Sequence, residues 1–372
     1  MSAAADTGAV AFAERLLTLL DEASYSTTYK FAVVLGLLDL CIETAEASGA
    51  PTTMLTTRQL ADKVVQIYWP QTREFVEGNA SLVLRQSNTG QAEIVSLVRK
   101  FRERHLDAAT ASLHQARAAD ASAYERLVEK VEWKLIEMPL PRLQRLGNTD
   151  EPFIYRIAWD EHITQGAVRD YQRTGRGFDN RILILDGAAE HLVQFGPLLR
   201  PLLRRHFADR ILRYNRSVLS DPGIEAFLFD TQRTPAAPIR RALHELQSGA
   251  CFYCRLSLTG AKTEVDHFIP WARYPDDSLA NLVLAHHGCN NDKRHYLAAA
   301  DHLTRWRRRQ DDEAKGLRDA ASECDWPHEP ERTLSVARSV YLHLPQSARL
   351  WQARGTFVPI DTALVREALL GA

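Results

Sequence analysis

Residues 250–294 read ACFYCRLSLTGAKTEVDHFIPWARYPDDSLANLVLAHHGCNNDKR, and two patterns interleave in this stretch. The first is a pair of knuckles. Cys251 and Cys254 stand two residues apart, and His286 and Cys289 repeat that gap at the far end. Such a gap lets one tight turn offer both side chains to one ion. Three thiolates with one imidazole form a tetrahedral set suited to a closed, structural Zn²⁺ site. His287 competes with His286, but only His286 keeps the two-residue spacing and is the expected ligand. A disulfide is the alternative reading of the cysteines; it is rare in the reducing compartment that the cysteine usage fits. With all four zinc positions filled, no open position remains for a zinc-bound water, which argues against a zinc-dependent hydrolase at this ion.

The second pattern is polar: Asp266-His267, then Asn281, then Asn290 with Lys293 beyond it. Val265 to Pro270 reads as a strand end stopped by proline, and Leu279 to Leu284 as a second apolar strand. Gly288 to Leu297 has helical character, with Asn290 and Lys293 on one face. Asp266, His267 and Asn290 are therefore expected to converge where a hairpin meets a helix. A carboxylate with an amide oxygen suits a hard cation such as Mg²⁺ or Mn²⁺. A neighbouring histidine can then deprotonate water for attack on a phosphate.

This stretch resembles the HNH endonuclease family, whose fold is the ββα-metal finger. The matching residues are Cys251, Cys254, the Asp266-His267 pair, Asn281 and the run from Cys289 to Lys293. The resemblance implies His267 as general base, Asp266 and Asn290 as ligands of a catalytic divalent metal, and Asn281 as the brace that orients the histidine. It also implies a product with a 3′-hydroxyl and a 5′-phosphate. Two departures stand out: His286 replaces the first cysteine of a second Cys-x-x-Cys, and Asn290 stands where the family often has histidine. The first is acceptable zinc chemistry; the second favours Mg²⁺ or Mn²⁺ over softer metals.

Outward from this stretch, 372 residues suggest two or three domains. The net charge of −1 does not announce a nucleic-acid binder, so basic surface would have to be segregated. Two clusters offer that. A helix expected from Pro197 to Asn215 carries Arg200, Arg204, Arg205, Arg210 and Arg213, with Arg216 just beyond it. A helix expected to run on from the motif to Arg309 carries Arg305, Arg307 and Arg308. Lys293, Arg294, Arg305, Arg308, Arg204 and Arg205 are the expected phosphate contacts. The five cysteines and the lack of a basic leader predict a soluble, cytoplasmic protein. The longest apolar run, Phe31 to Leu38, is too short for a bilayer, so no membrane partner is expected.

The predicted fold is mainly α (α+β). Residues 1–232 form a mostly helical recognition or sensing domain with a small sheet. Residues 233–310 form the zinc-bound ββα nuclease domain, and 311–372 a helical segment that packs back on the body. Helices are expected over Val10–Leu20, Tyr29–Ala47, Thr56–Trp69, Gln91–His105, Ala108–Glu137, Thr333–Leu344 and Thr362–Leu370. Strands are expected over Phe153–Trp159 and Arg181–Leu185, polar loops over Gln71–Gly90 and Gln310–Pro330, and a linker at 221–223 and 234–238. The spacing in Thr56–Trp69 is similar to the first helix of helix-turn-helix modules, though helical packing explains the same pattern. The functional expectation is a metal-dependent endonuclease acting on DNA, with RNA also open as substrate. By family analogy it is a restriction or phage-defence effector, with a homodimer or a defence partner protein left open. The alternative is a zinc-dependent protein that binds nucleic acid without cutting it; such a binder has no need of the full polar set.

Overall fold

The computed structural model describes residues 2–22, 26–77, 80–104, 112–147, 149–216, 224–229 and 237–371. Most of the expected linker, the end of the helix predicted to reach His105 and the start of the one predicted from Ala108 lie outside the described residues. Two compact units emerge. One comprises Met1–Cys41 with Thr52–Gln232, the other Ile42–Pro51 with Arg233–Ala372. Both are mainly helical, with small antiparallel sheets. No helix among the described residues is long and apolar enough to cross a membrane.

The first unit runs α1 (Ser2–Asp21), α2 (Tyr29–Glu43, whose Ile42 and Glu43 belong to the second unit), β1 (Met54–Thr56), α3 (Thr57–Tyr68), β2 (Phe75–Glu77), β3 (Ala80–Leu82), α4 (Glu93–Glu103), α5 (Leu113–Ala119), α6 (Ala121–Glu137), β4 (Tyr155–Arg156), α7 (Gln165–Thr174), β5 (Arg181–Ile184), α8 (Ala188–Tyr214) and α9 (Ile224–Phe229). α2 is apolar nearly all round and buries Phe31, Val33, Leu37 and Leu38, which makes it a core helix. Thr56 and Gln59 form a capping box at the start of α3. That helix lays Leu60, Ala61 and Val64 into the core and packs against α6. The sheet order is β1-β5-β4, with Leu55 opposite Ile182 and Tyr155 opposite Ile184.

Three expectations differ here. The loop expected over Gln71–Gly90 contains the β2–β3 hairpin. The long helix expected to Glu137 breaks at Asp120, because that side chain accepts the Ala123 N–H at 2.8 Å and starts α6 afresh. α8 begins before Pro197 and continues through Pro201 rather than starting at the first proline. Burial of Leu192, Val193, Leu199 and Leu203 outweighs the backbone hydrogen bonds that the prolines forfeit.

The second unit runs α10 (Ala237–Leu246), β6 (Thr263–His267), β7 (Leu282–His286), α11 (His287–Lys293), α12 (Ala300–Asp312), α13 (Ala314–Glu323), α14 (Pro330–Leu342), β8 (Arg349–Ala353), β9 (Thr356–Pro359) and α15 (Thr362–Leu370). β6 and β7 pair antiparallel, with Val265 opposite Leu284. Behind them Phe268 stacks on Trp306 at 5.1 Å between ring centres, and Tyr341 and Trp351 complete the core. The helix expected to run from Gly288 to Arg309 is two. Lys293 ends α11, Arg294 turns the chain with φ of 50°, and α12 starts at Ala300. Between them the backbone is extended, because Trp351 N–H donates to the Leu297 carbonyl and its own carbonyl accepts Ala299 N–H, each at 2.8 Å. The loop expected over 310–330 holds α13, which buries Leu317, Ala320 and Ala321. Asp292 Oδ2 accepts Trp351 Nε1–H at 2.7 Å and Gly355 N–H at 2.8 Å, and so ties the β8–β9 hairpin to α11.

Candidate active site and metal centre

The two knuckles close on each other. Ligand atoms of Cys251, Cys254, His286 and Cys289 all lie within 4.8 Å of one another. The first knuckle turns through Arg255, which holds φ at 65° while its N–H bonds the Cys251 carbonyl at 3.0 Å. His286 Nδ1 lies 3.2 Å from the Cys254 sulfur, and its Nε2–H donates to the Ser257 carbonyl at 3.1 Å. That outer bond fixes the tautomer that leaves Nδ1 as the ligand atom. The His286 N–H also points at the Cys251 sulfur, 3.4 Å away. Burial, together with the neighbouring Cys251 and Cys254 sulfurs, holds the Cys289 thiol well above its ordinary range. Cys251, Cys254 and Cys289 are not in disulfides. The donor set, three sulfurs and one imidazole, fits zinc. His287 takes no part: its Nδ1 lies 2.5 Å from Glu264 Oε1.

A cleft of about 610 Å³ opens beside this staple, lined among others by Asp266, His267, Trp271, Asn290, Arg294 and His295. The end of β6 supplies Asp266 and His267; α11 supplies Asn290. Asp266 Oδ2 is taken by the Lys293 ammonium at 2.9 Å and by the Tyr253 hydroxyl, so Oδ1 is the atom left for a ligand. Burial, then the Asp266 charge, keeps the Tyr253 hydroxyl protonated far above its usual range. His267 Nε2–H donates to Asp277 Oδ1 at 2.8 Å, and the imidazole stands edge-on to Trp271 at 5.2 Å. Asp277 is absent from the sequence reading, although the Asp276-Asp277 pair between the strands carried the signal.

Asn281 is fully buried. Its amide accepts Ile269 N–H at 2.8 Å and donates to the carbonyls of Ile269 at 3.1 Å and Asp276 at 3.0 Å. Its own carbonyl accepts Phe268 N–H at 2.8 Å, so it closes the loop that follows His267. Asn290 Nδ2–H donates to Glu264 Oε2 at 2.5 Å. Burial raises the Glu264 carboxyl, but the bonds from Asn290 and His287 outweigh it and leave the group below its usual range.

The basic residues divide. Lys293 has no exposed side-chain surface, and its ammonium also donates to the His267 carbonyl at 2.9 Å. In place of the expected phosphate contact it is an internal cation, because Asp266 cannot be buried alone. Arg294 is exposed and lines the cleft. Arg305 braces the knuckle through the Phe252 carbonyl at 2.9 Å, and with Arg308 it lines a second cavity of about 450 Å³. In the first unit the expected arginine track is broken up. Arg200 is buried against Asp39 at 2.5 Å, Arg204 lies over the Phe229 ring at 5.3 Å, and Arg205 pairs with Asp209 at 3.4 Å.

Residues 253–299 match the model of the HNH endonuclease family. No curated protein and no solved structure matches the chain. The matched segment spans β6, β7 and α11, the elements that build the cleft, so the chain contains a domain of the HNH endonuclease family.

Proposed function

We propose that this protein is a divalent-metal-dependent endonuclease that hydrolyses DNA phosphodiester bonds. The observation that carries this reading is the His267–Asp277 pair at the rim of a cleft shared with Asp266 and Asn290. A carboxylate that accepts the Nε2–H leaves Nδ1 as the imidazole's one lone pair, so His267 can take a proton from water at that atom. Asp266 Oδ1 and Asn290 Oδ1 are the oxygen donors for Mg²⁺ or Mn²⁺. When bound, such a cation supplies charge stabilisation at the scissile phosphate and the leaving oxygen. Asn281 fixes the loop from Ile269 to Asp276 and so the setting of His267. The zinc staple holds hairpin to helix, since a finger this small buries little core of its own. Arg294, at the cleft, meets the substrate phosphates.

The resemblance to HNH enzymes that carry an added domain supports a role in restriction or phage defence, and residues 1–232 would then supply recognition. One finger cuts one strand; cutting both requires two copies or two events. The reading is tested on supercoiled plasmid and on single-stranded RNA, with Mg²⁺ or Mn²⁺ and with EDTA. Plasmid nicking that EDTA abolishes, with RNA spared, supports it. Tight DNA binding with no cutting in any metal would instead favour a zinc-stabilised binding protein.

A further inference from the structure

Glu264 stands two residues before Asp266 on β6, yet it does not line the cleft. Its two oxygens are both engaged. Oε2 accepts from Asn290 Nδ2 at 2.5 Å, and Oε1 accepts from His287 Nδ1 at 2.5 Å. His287 is held in turn, since its Nε2 accepts from Asn291 Nδ2 at 2.8 Å. The network therefore loops from strand to helix and back onto the helix. It fixes the direction of one amide. A carboxylate oxygen can only accept, so the Asn290 group that meets it is the NH₂. The carbonyl oxygen of the same amide is then turned the other way, and Asn290 is a cleft residue. Without this hold the Asn290 amide could rotate and present its NH₂ to a cation, which repels it.

We propose that Glu264 is a positioning residue: it orients Asn290 so that Oδ1 faces the cleft, and His287 holds Glu264 in place. This rests on the reading of Asn290 as a ligand of the divalent metal. It gives His287 a task distinct from that of His286, its neighbour in sequence. Partners that orient a metal ligand without touching the metal typically change affinity by about 10–100-fold when removed.

The test is Mn²⁺ binding to the zinc-loaded full chain, followed by the electron paramagnetic resonance signal of free Mn²⁺, with zinc content measured on each sample. Glu264→Ala should weaken Mn²⁺ binding by roughly tenfold or more while zinc is retained. Glu264→Gln, whose amide oxygen can accept the same hydrogen bond, should recover much of that loss and covers the case where the alanine variant misfolds. In an Asn290→Ala background the Glu264→Ala change should have no further effect, because Glu264 acts through Asn290. Equal Mn²⁺ affinity in parent and Glu264→Ala, with Asn290→Ala weakened, overturns the proposal and leaves the metal reading intact. Additive losses overturn it too, since Glu264 would then act by itself. No Mn²⁺ binding by the parent, or none lost in Asn290→Ala, overturns the metal reading as well.

Discussion

The Lys293 ammonium lies 2.9 Å from Asp266 Oδ2, and its side chain is closed to solvent. The pair sits where helix α11 meets strand β6, and the same ammonium bonds the His267 carbonyl. One cation therefore fixes both the carboxylate offered to a metal and the backbone of the expected base. Lys293→Met keeps the stem volume and removes the charge, so the buried Asp266 keeps the Tyr253 hydroxyl but loses its cation. Breaking a buried pair from one side costs about 3–5 kcal/mol. Urea unfolding of the zinc-loaded protein should show that loss in the second unit, and the Lys293→Met, Asp266→Asn double variant should regain part of it. Unchanged stability of the single variant would remove the pair from the structural account.

Asn281 closes the loop after His267 with three side-chain hydrogen bonds. Asn281→Ala strands the Ile269 N–H in a buried place, and each such group costs about 1–3 kcal/mol. The expected result is a lower unfolding midpoint, full zinc content and slower cutting. Zinc loss in this variant would mean that the loop and the staple are one unit rather than two devices.

Zinc retention should depend on pH, with a definite sign. In the metal-free cluster, burial and the adjacent sulfurs keep the Cys289 thiol protonated. Zinc binds thiolates, so loading releases protons and the loaded state holds fewer of them. Apparent zinc affinity must then fall as pH falls, by roughly tenfold per pH unit for each proton released. A colorimetric chelator titration between about pH 8 and 5 measures this. A flat profile would contradict the three-thiolate site. Cys289→Ser should lose zinc already at neutral pH.

Much of the candidate site was legible because its residues lie close in sequence. The Cys-x-x-Cys gap and its echo at His286 and Cys289 located the staple, and the spacing rule picked His286 over His287, as the cluster does. What the sequence hid are partners whose meaning depends on distant chain. Asp277 reads as loop polarity until the fold brings it to His267. Glu264 reads as a strand residue until α11 lies against it. Lys293 looked like a phosphate contact on a helix running on to Arg309, but its stem and charge are both consumed inside. The break between α11 and α12 is imposed by Trp351, more than fifty residues on, which no helical periodicity around Arg294 could announce. Likewise the arginines of α8 looked like one track, and Asp39, Phe229 and Asp209 divide them.

The most direct test of the central claim is the rate of plasmid nicking by His267→Ala beside the parent protein, in Mg²⁺ or Mn²⁺, with zinc content measured on both. His267 is the group that would take the proton from the attacking water, while the staple lies elsewhere. The account predicts that nicking falls by at least about 10²–10⁴-fold with zinc fully retained and DNA binding unchanged. Parent-like cutting by His267→Ala would contradict it and place the chemistry outside this cleft.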